Sequence, residues 1–313
     1  MDNLIFYQTL LQQIFNGLVL GSLYALVALG YTMVYGILEL INFAHGEVVM
    51  LGAMVALTVL GVLSGAGYSG AWTVGVALAV AVPVCVTVGL LIERVAYRPL
   101  RHAPRLAPLI TAIGVSIVIQ NLTMILWGRR YLSFPPVIDI EVYEWWGVSV
   151  TNIQLVIVAL TATMMVGLLL LVGHTRLGRA MRAIAQNREV ASLMGVDVNT
   201  VIAATFAIGS ALAAVAGMLV GTYYGLAHYA MGFMLGLKAF TAAVLGGIGN
   251  IPGAMLGGLL LGVIESLGAG YIGDLTGGFL GSNYQDIFAF LVLISVLIFR
   301  PAGLLGEQVA ERA

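Results

Sequence analysis

Charge is scarce in this 313-residue chain: Asp, Glu, Lys and Arg make up only 9% of it, against about a quarter in soluble domains. Lysine is nearly missing, with Lys238 alone beside twelve arginines, and the one cysteine is Cys85. A single cysteine excludes an intrachain disulfide and a cysteine-based metal cluster, and its apolar surroundings beside Pro83 mark it for core packing. His45, His102, His174 and His228 lack ligand spacing, so no metal site is expected. Neither a G-x-S-x-G elbow nor a base beside Cys85 occurs, which leaves an intramembrane hydrolase without a nucleophile. A phosphate loop is missing too. It needs glycines followed by Lys and Ser or Thr, whereas the stretch from Gly246 to Gly253 has neither, and Lys238 precedes it. The chain is therefore read as no enzyme and no user of a cofactor, and with a net charge of −1 as no partner of nucleic acid.

What is present is apolar surface: 61% of residues are hydrophobic and the mean hydropathy is +1.05. An α-helix needs roughly 20 mainly apolar residues to cross the hydrocarbon core. Six runs qualify: Ile14 to Tyr35, Val48 to Leu63, Ala71 to Ile92, Leu109 to Trp127, Ile153 to Val172 and Val201 to Gly221. Ile287 to Phe299 is a shorter seventh. The N-terminal stretch has no Lys or Arg, so a cleavable signal is not expected and the first run counts as a span.

Arginine orients the spans, because short cytoplasmic loops retain Arg and Lys. Arg94, Arg98, Arg101 and Arg105 fill one loop and Arg176, Arg179, Arg182 and Arg188 another, which puts both inside and the N-terminus outside. The 128–152 loop, with Asp139, Glu141 and Glu144, falls outside. Trp72, Trp127, Trp145 and Trp146 all fall at outer ends, as interfacial indoles should.

Residues 237–271 do not fit a simple span. Two apolar arms flank Gly246, Gly247, Gly249, Asn250, Pro252 and Gly253, which break helix geometry and leave backbone groups that lipid cannot satisfy. A hairpin of broken helices lining a cavity accounts for this, and so does close helix contact through small residues. The expected fold is all-α: a polytopic membrane helix bundle of about seven full spans plus this hairpin, as one domain over 1–313.

Two regions carry candidate chemistry. Between Thr175 and Thr200 the pattern predicts short helices at Leu177 to Ala185 and Arg188 to Met194, closed by a left-handed Gly195, with Asn199 capping the next span. Arg176, Arg179 and Arg182 share one side, while Met181, Ile184 and Ala185 offer an apolar surface suited to docking into a partner's groove. The second region is the set of polar residues near membrane depth, where a carboxylate costs at least about 2.5–3.5 kcal/mol. Asn42, His45, Glu47 and Gln120 are candidates for a solute pathway, with Gly246, Gly247, Gly249 and Asn250 of the hairpin. A polar turn between the first two spans accounts equally for Asn42, His45 and Glu47, and an interhelical bond for Gln120, Asn121 and Thr123. Glu265 is expected to be solvated near the outer surface and Lys238 to snorkel outward.

Three longer stretches, Gly17 to Glu47, Glu93 to Arg101 and Gly236 to Glu265, closely resemble the LivH-type permeases of high-affinity branched-chain amino acid importers, and the likeness runs over nearly the whole chain apart from the 128–152 loop. Glu189, Ala191 and Gly195 match the E-A-A-x-x-x-G coupling loop of ABC importer permeases, with Val190 in place of its first alanine. The resemblance implies a bacterial inner-membrane permease that moves leucine, isoleucine or valine. Its partners would be a paralogous permease or a second copy, two cytoplasmic ATPase subunits and an external solute-binding protein. It also implies a coupling element that includes Gly178, Arg179, Met181, Arg182, Glu189, Ala191 and Gly195. A urea or short-amide permease shares much of the pattern. An ion-coupled transporter using Glu39, Glu47 or Glu265, and a non-conducting assembly subunit, are the rivals outside that class.

Overall fold

The computed structural model describes residues 2–101, 103–104, 106–136, 139–145, 147–277, 279, 284–300 and 302–306. His102, named above among the histidines, and Arg105 and Trp146, used above to orient the chain, lie outside them. The helices are α1 (Asp2–Leu38), α2 (His45–Gly65), α3 (Ala71–Leu91), α4 (Leu106–Trp127), α5 (Asn152–His174), α6 (Arg176–Gln186), α7 (Arg188–Leu193), α8 (Val198–Tyr224), α9 (Met231–Gly246), α10 (Ile251–Leu275) and α11 (Gln285–Phe299). A π-helical stretch, Ile92–Tyr97, and a 3-10 turn, Arg98–Leu100, prolong α3. Short strands β1 (Leu132–Ser133), β2 (Val142–Trp145), β3 (Val148–Thr151) and β4 (Leu226–Ala227) form two antiparallel ribbons, β1 with β4 and β2 with β3.

Seven described helices are long and apolar enough to cross a membrane, as expected, but the seventh is a different one. It is Ile251–Gly273, read from the sequence as one short arm of a hairpin, whereas Gln285–Phe299 is the short helix. Pro252 is the second residue of α10, where a missing N–H costs no hydrogen bond. The glycines that follow serve packing instead of breaking the helix.

By its internal contacts the chain divides into two units. The first comprises Met1–Ala28, Ile140–Thr163 and Lys238–Ala313. Within it α1 and α10 approach through Gly17, Gly21, Gly258 and Gly262. A Cβ on Gly17 would lie 2.6 Å from the Val263 Cα, and one on Gly21 2.7 Å from the Leu259 Cα. Ser266 donates to the Gln13 carbonyl at 2.8 Å beside this contact. Small-residue packing and a broken hairpin, posed above as alternatives, therefore both occur. The break is the turn between α9 and α10, where Gly247 and Gly249 take φ of +108° and +93°, values that favour glycine. Asn250 Oδ1 caps the Gly253 N–H at 3.0 Å and its Nδ2 donates to the Leu305 carbonyl at 2.8 Å. Leu304 and Leu305 donate to the Leu245 and Gly246 carbonyls at 2.9 and 3.0 Å. Backbone groups that lipid could not satisfy are thus bonded by the segment after α11.

The second unit comprises Leu29–Asp139 and Met164–Leu237. At its centre α2 packs on α3 and α8, again with little side chain between helix axes. A Cβ on Gly52 would lie 2.6 Å from the Ala214 Cα, and one on Gly217 2.7 Å from the Ala53 nitrogen. Cys85 is fully buried here, its Sγ 3.6 Å from the Val48 carbonyl.

Candidate translocation and coupling sites

The segment between α1 and α2 is a tight turn. Glu39 adopts φ +54° and ends α1, while Asn42 accepts the Ala44 N–H on its Oδ1 at 3.2 Å and the His45 N–H on its carbonyl at 3.0 Å. Such an Asx turn competes with helix and restarts it. Asn42 and His45 therefore do not share a helix face: Asn42 is a turn residue, also bonded by the Tyr97 hydroxyl at 3.2 Å. His45 opens α2 near the middle of α8, with a Cβ on Gly209 reaching 3.9 Å from its Cε1. The first turn of α2 thus lies well inside the unit and not at its edge.

Three further groups surround this turn. The Tyr31 ring meets the His45 ring edge-on at 5.0 Å. Ser116 on α4 donates to Glu47 Oε1 at 3.1 Å. The first turns of α9 press against α2, so that a Cβ on Gly46 would lie 2.9 Å from the Gly236 Cα, and one on Gly232 2.7 Å from Glu47 Oε2. Asn42, His45 and Glu47 are all buried. Gln120, on the same α4, is only half-buried. Gly246, Gly247, Gly249 and Asn250 form the sealed turn of the first unit already described.

The expectations for Lys238 and Glu265 are overturned. Neither reaches solvent: Lys238 Nζ lies 2.6 Å from Glu265 Oε1 and 2.6 Å from Asp286 Oδ1, and 3.2 Å from the Tyr24 hydroxyl. One ammonium thus joins α1, α9, α10 and α11. Snorkelling serves a lysine that faces lipid, whereas this one has two acids within reach that offset part of the cost of burying its charge. No periodicity in the sequence links positions 238, 265 and 286. The available signal was chemical: a lysine and a glutamate inside apolar helices call for partners.

Between α5 and α8 the helix punctuation is close to expectation. Thr175 caps α6 by accepting the Gly178 N–H at 3.0 Å, and Asn187 caps α7 by accepting from Glu189 and Val190, each at 3.0 Å. Gly195, with φ +84°, closes α7 as Val196 N–H returns to the Ala191 carbonyl at 3.0 Å, the left-handed ending expected. The cap of α8 is Asp197, not Asn199: its carboxylate accepts from the Asn199 and Thr200 amides at 3.0 and 3.3 Å. The Thr200 hydroxyl bond, followed by the Thr200 amide, holds the Asp197 carboxyl below its ordinary value. An anion at a helix start is also favoured by the helix dipole.

The expected docking face needs correction. Met181 and Ile184 are buried, as α6 packs on α8, and Ala191 is buried with them. Gly178 leaves no room for a Cβ, which would stand 2.5 Å from the Leu171 carbonyl oxygen. Three of the arginines turn toward their own chain. Arg182 donates to the Val172 carbonyl and Arg179 to that of His174 at 3.4 Å, bonding the last carbonyls of α5 as cations at a helix end do. Arg188 donates to the Ile37 carbonyl at 2.8 Å. What remains exposed is Val190, Leu193 at 87% and Met194 at 80%, beside a cleft of about 520 Å³ between α6 and α7 lined by Arg176, Arg179, Ala183 and Asn187.

Comparison with known proteins agrees with this architecture. The family model described as the branched-chain amino acid transport system permease component matches residues 13–297. The high-affinity branched-chain amino acid transport system permease protein LivH of Salmonella typhimurium is 46% identical over 307 residues, 96% of this chain and 97% of its own. The corresponding permease protein BraD of Pseudomonas aeruginosa is 47% identical over the same shares. A probable LivH of Methanocaldococcus jannaschii is 27% identical over 93% of this chain and 91% of its own. With seven helices able to span a bilayer and a family match over most of its length, the chain is a multi-pass membrane protein that belongs to the permease components of branched-chain amino acid transport systems.

Proposed function

We propose that this chain is the conducting subunit of an ATP-driven importer of leucine, isoleucine or valine in the bacterial inner membrane. Its extent of likeness to LivH and BraD supports that substrate class over urea or short amides. The chain works as one permease domain with its N-terminus outside, together with a paralogue or a second copy, two cytoplasmic ATPases that supply the energy, and an external binding protein. The observation that carries the coupling role is the exposed apolar ridge of Val190, Leu193 and Met194 between the Asn187 cap and the left-handed Gly195. We assign this ridge to the ATPase contact. Gly178, Arg179, Met181, Arg182, Glu189, Ala191 and Gly195 shape and anchor the element that bears it. The solute pathway runs past Glu47 and His45, where α2 and α9 both begin.

The test is uptake by the chain co-reconstituted with its partner subunits. ATP-dependent entry of labelled leucine, with urea excluded and no uptake by the chain alone under an ion gradient, is the expected result. Leu193→Asp should release the ATPases from the membrane while the permease still inserts. Retention of both ATPases and full uptake by that variant would remove the coupling assignment.

A further inference from the structure

Glu47 is 1% exposed. Its Oε1 accepts from Ser116 at 3.1 Å, but its Oε2 has no hydrogen-bond partner among the described residues. A carboxylate inside a spanning helix is ordinarily compensated on both oxygens, because an unmet bond to a buried charged group carries its full desolvation cost. Here the compensation comes partly from geometry. Two helices, α2 of 21 residues and α9 of 16, begin at this point, and helix N-termini carry partial positive charge and amides with no intrahelical acceptor.

On the α9 side, glycines approach Oε2 closely. A Cβ on Gly232 would stand 2.7 Å from Oε2, and one on Gly236 2.8 Å from the Tyr31 hydroxyl. At these two positions the α9 backbone packs directly on α2, so a solute reaches the carboxylate when α9 draws back, with no α9 side chain there to displace. A zwitterionic amino acid presents an ammonium and a carboxylate a few ångströms apart, which matches an acid beside a helix start.

We propose that Glu47 recognises the ammonium group of the permeating amino acid, with Oε2 accepting its N–H and the first turn of α9 receiving its carboxylate. Ser116 is then a positioning residue that fixes Oε1 and aims Oε2. This inference rests on the reading of the chain as an amino acid permease and names the group that selects the amine end.

The test labels the wild-type reconstituted complex with dicyclohexylcarbodiimide, an apolar reagent for buried carboxylates, and follows Glu47 by peptide mass spectrometry during turnover. Leucine and isopentylamine, which carry the ammonium, should slow modification of Glu47 about tenfold or more, the worth of one bond to a charged group. The deaminated analogue 4-methylpentanoate should not. Glu47→Gln should lower leucine uptake by a similar factor with the complex intact. Equal labelling under all three solutes, protection by 4-methylpentanoate alone, or normal uptake by Glu47→Gln would overturn the proposal. Gly232→Leu separates this from failure of the pathway itself. If it leaves leucine uptake intact, the pathway reading fails. If it blocks uptake in an assembled complex while Glu47 is unprotected by leucine, only the ammonium assignment fails.

Discussion

Replacing Lys238 by methionine keeps the length of the side chain and removes its charge, which isolates the electrostatic part of the four-helix junction. Lys238 and Glu265 side chains are 8% and 1% exposed, and Asp286 is 36% exposed. Removing one member of a buried pair leaves an uncompensated charge and costs about 3–5 kcal/mol. Lys238→Met strands Glu265 and should sit in that range. Glu265→Gln leaves Lys238 its bond to Asp286 and should cost about 1–3 kcal/mol. Asp286→Asn touches the most exposed of the three side chains, and should cost the least, about 0–1 kcal/mol. The double variant Lys238→Met with Glu265→Gln restores a nearly neutral site, so its cost should fall below the sum of the singles by a coupling of about 0.5–3 kcal/mol. Cys85, the sole thiol and fully buried, provides the assay: a thiol-reactive fluorophore reports unfolding of the purified full chain in detergent as temperature rises. The reasoning fails if Lys238→Met melts with the wild type, if Asp286→Asn is the most damaging of the three, or if the double variant shows the full sum.

Other consequences are equally direct. Gly21→Leu or Gly258→Leu should separate α1 from α10, because even a Cβ at Gly21 would stand 2.7 Å from the Leu259 backbone; overpacking of this kind costs about 1–3 kcal/mol or more and should lower the same melting midpoint. At Gly195, open space surrounds the α-carbon but φ is +84°, so Gly195→Asn should retain ATPase attachment while Gly195→Val, strained by about 1–3 kcal/mol, should weaken it in a pull-down. Asp197 is held below its ordinary value, so its capping contribution is complete above the unfolded carboxylate value and disappears as pH falls through the lower folded one. The protection of amides 199–201, taken relative to the intrinsic exchange rate at each pH, should therefore fall on acidification in the wild type and be low already at neutral pH in Asp197→Ala.

The sequence alone determined that this is a helical membrane protein with about seven spans, where six of those spans lie, and that the loop after the fifth is helical and glycine-closed. Hydrophobic runs and capping residues act over one to three helical turns, and such local signals survive in a linear reading. It also singled out Glu47 and His45, since polar groups in apolar segments stand out by composition. Only tertiary structure decided that Lys238 meets Glu265 and Asp286, that Ser116 bonds Glu47, and that the apolar side of α6 faces inward. These pairings join positions 27 to 69 residues apart, and no local rule ranks one distant partner over another. The glycines of α10 make the same point. In sequence they are helix breakers, yet within the fold they hold a full-length helix against α1, because a backbone contact at van der Waals distance offsets glycine's poor helix propensity.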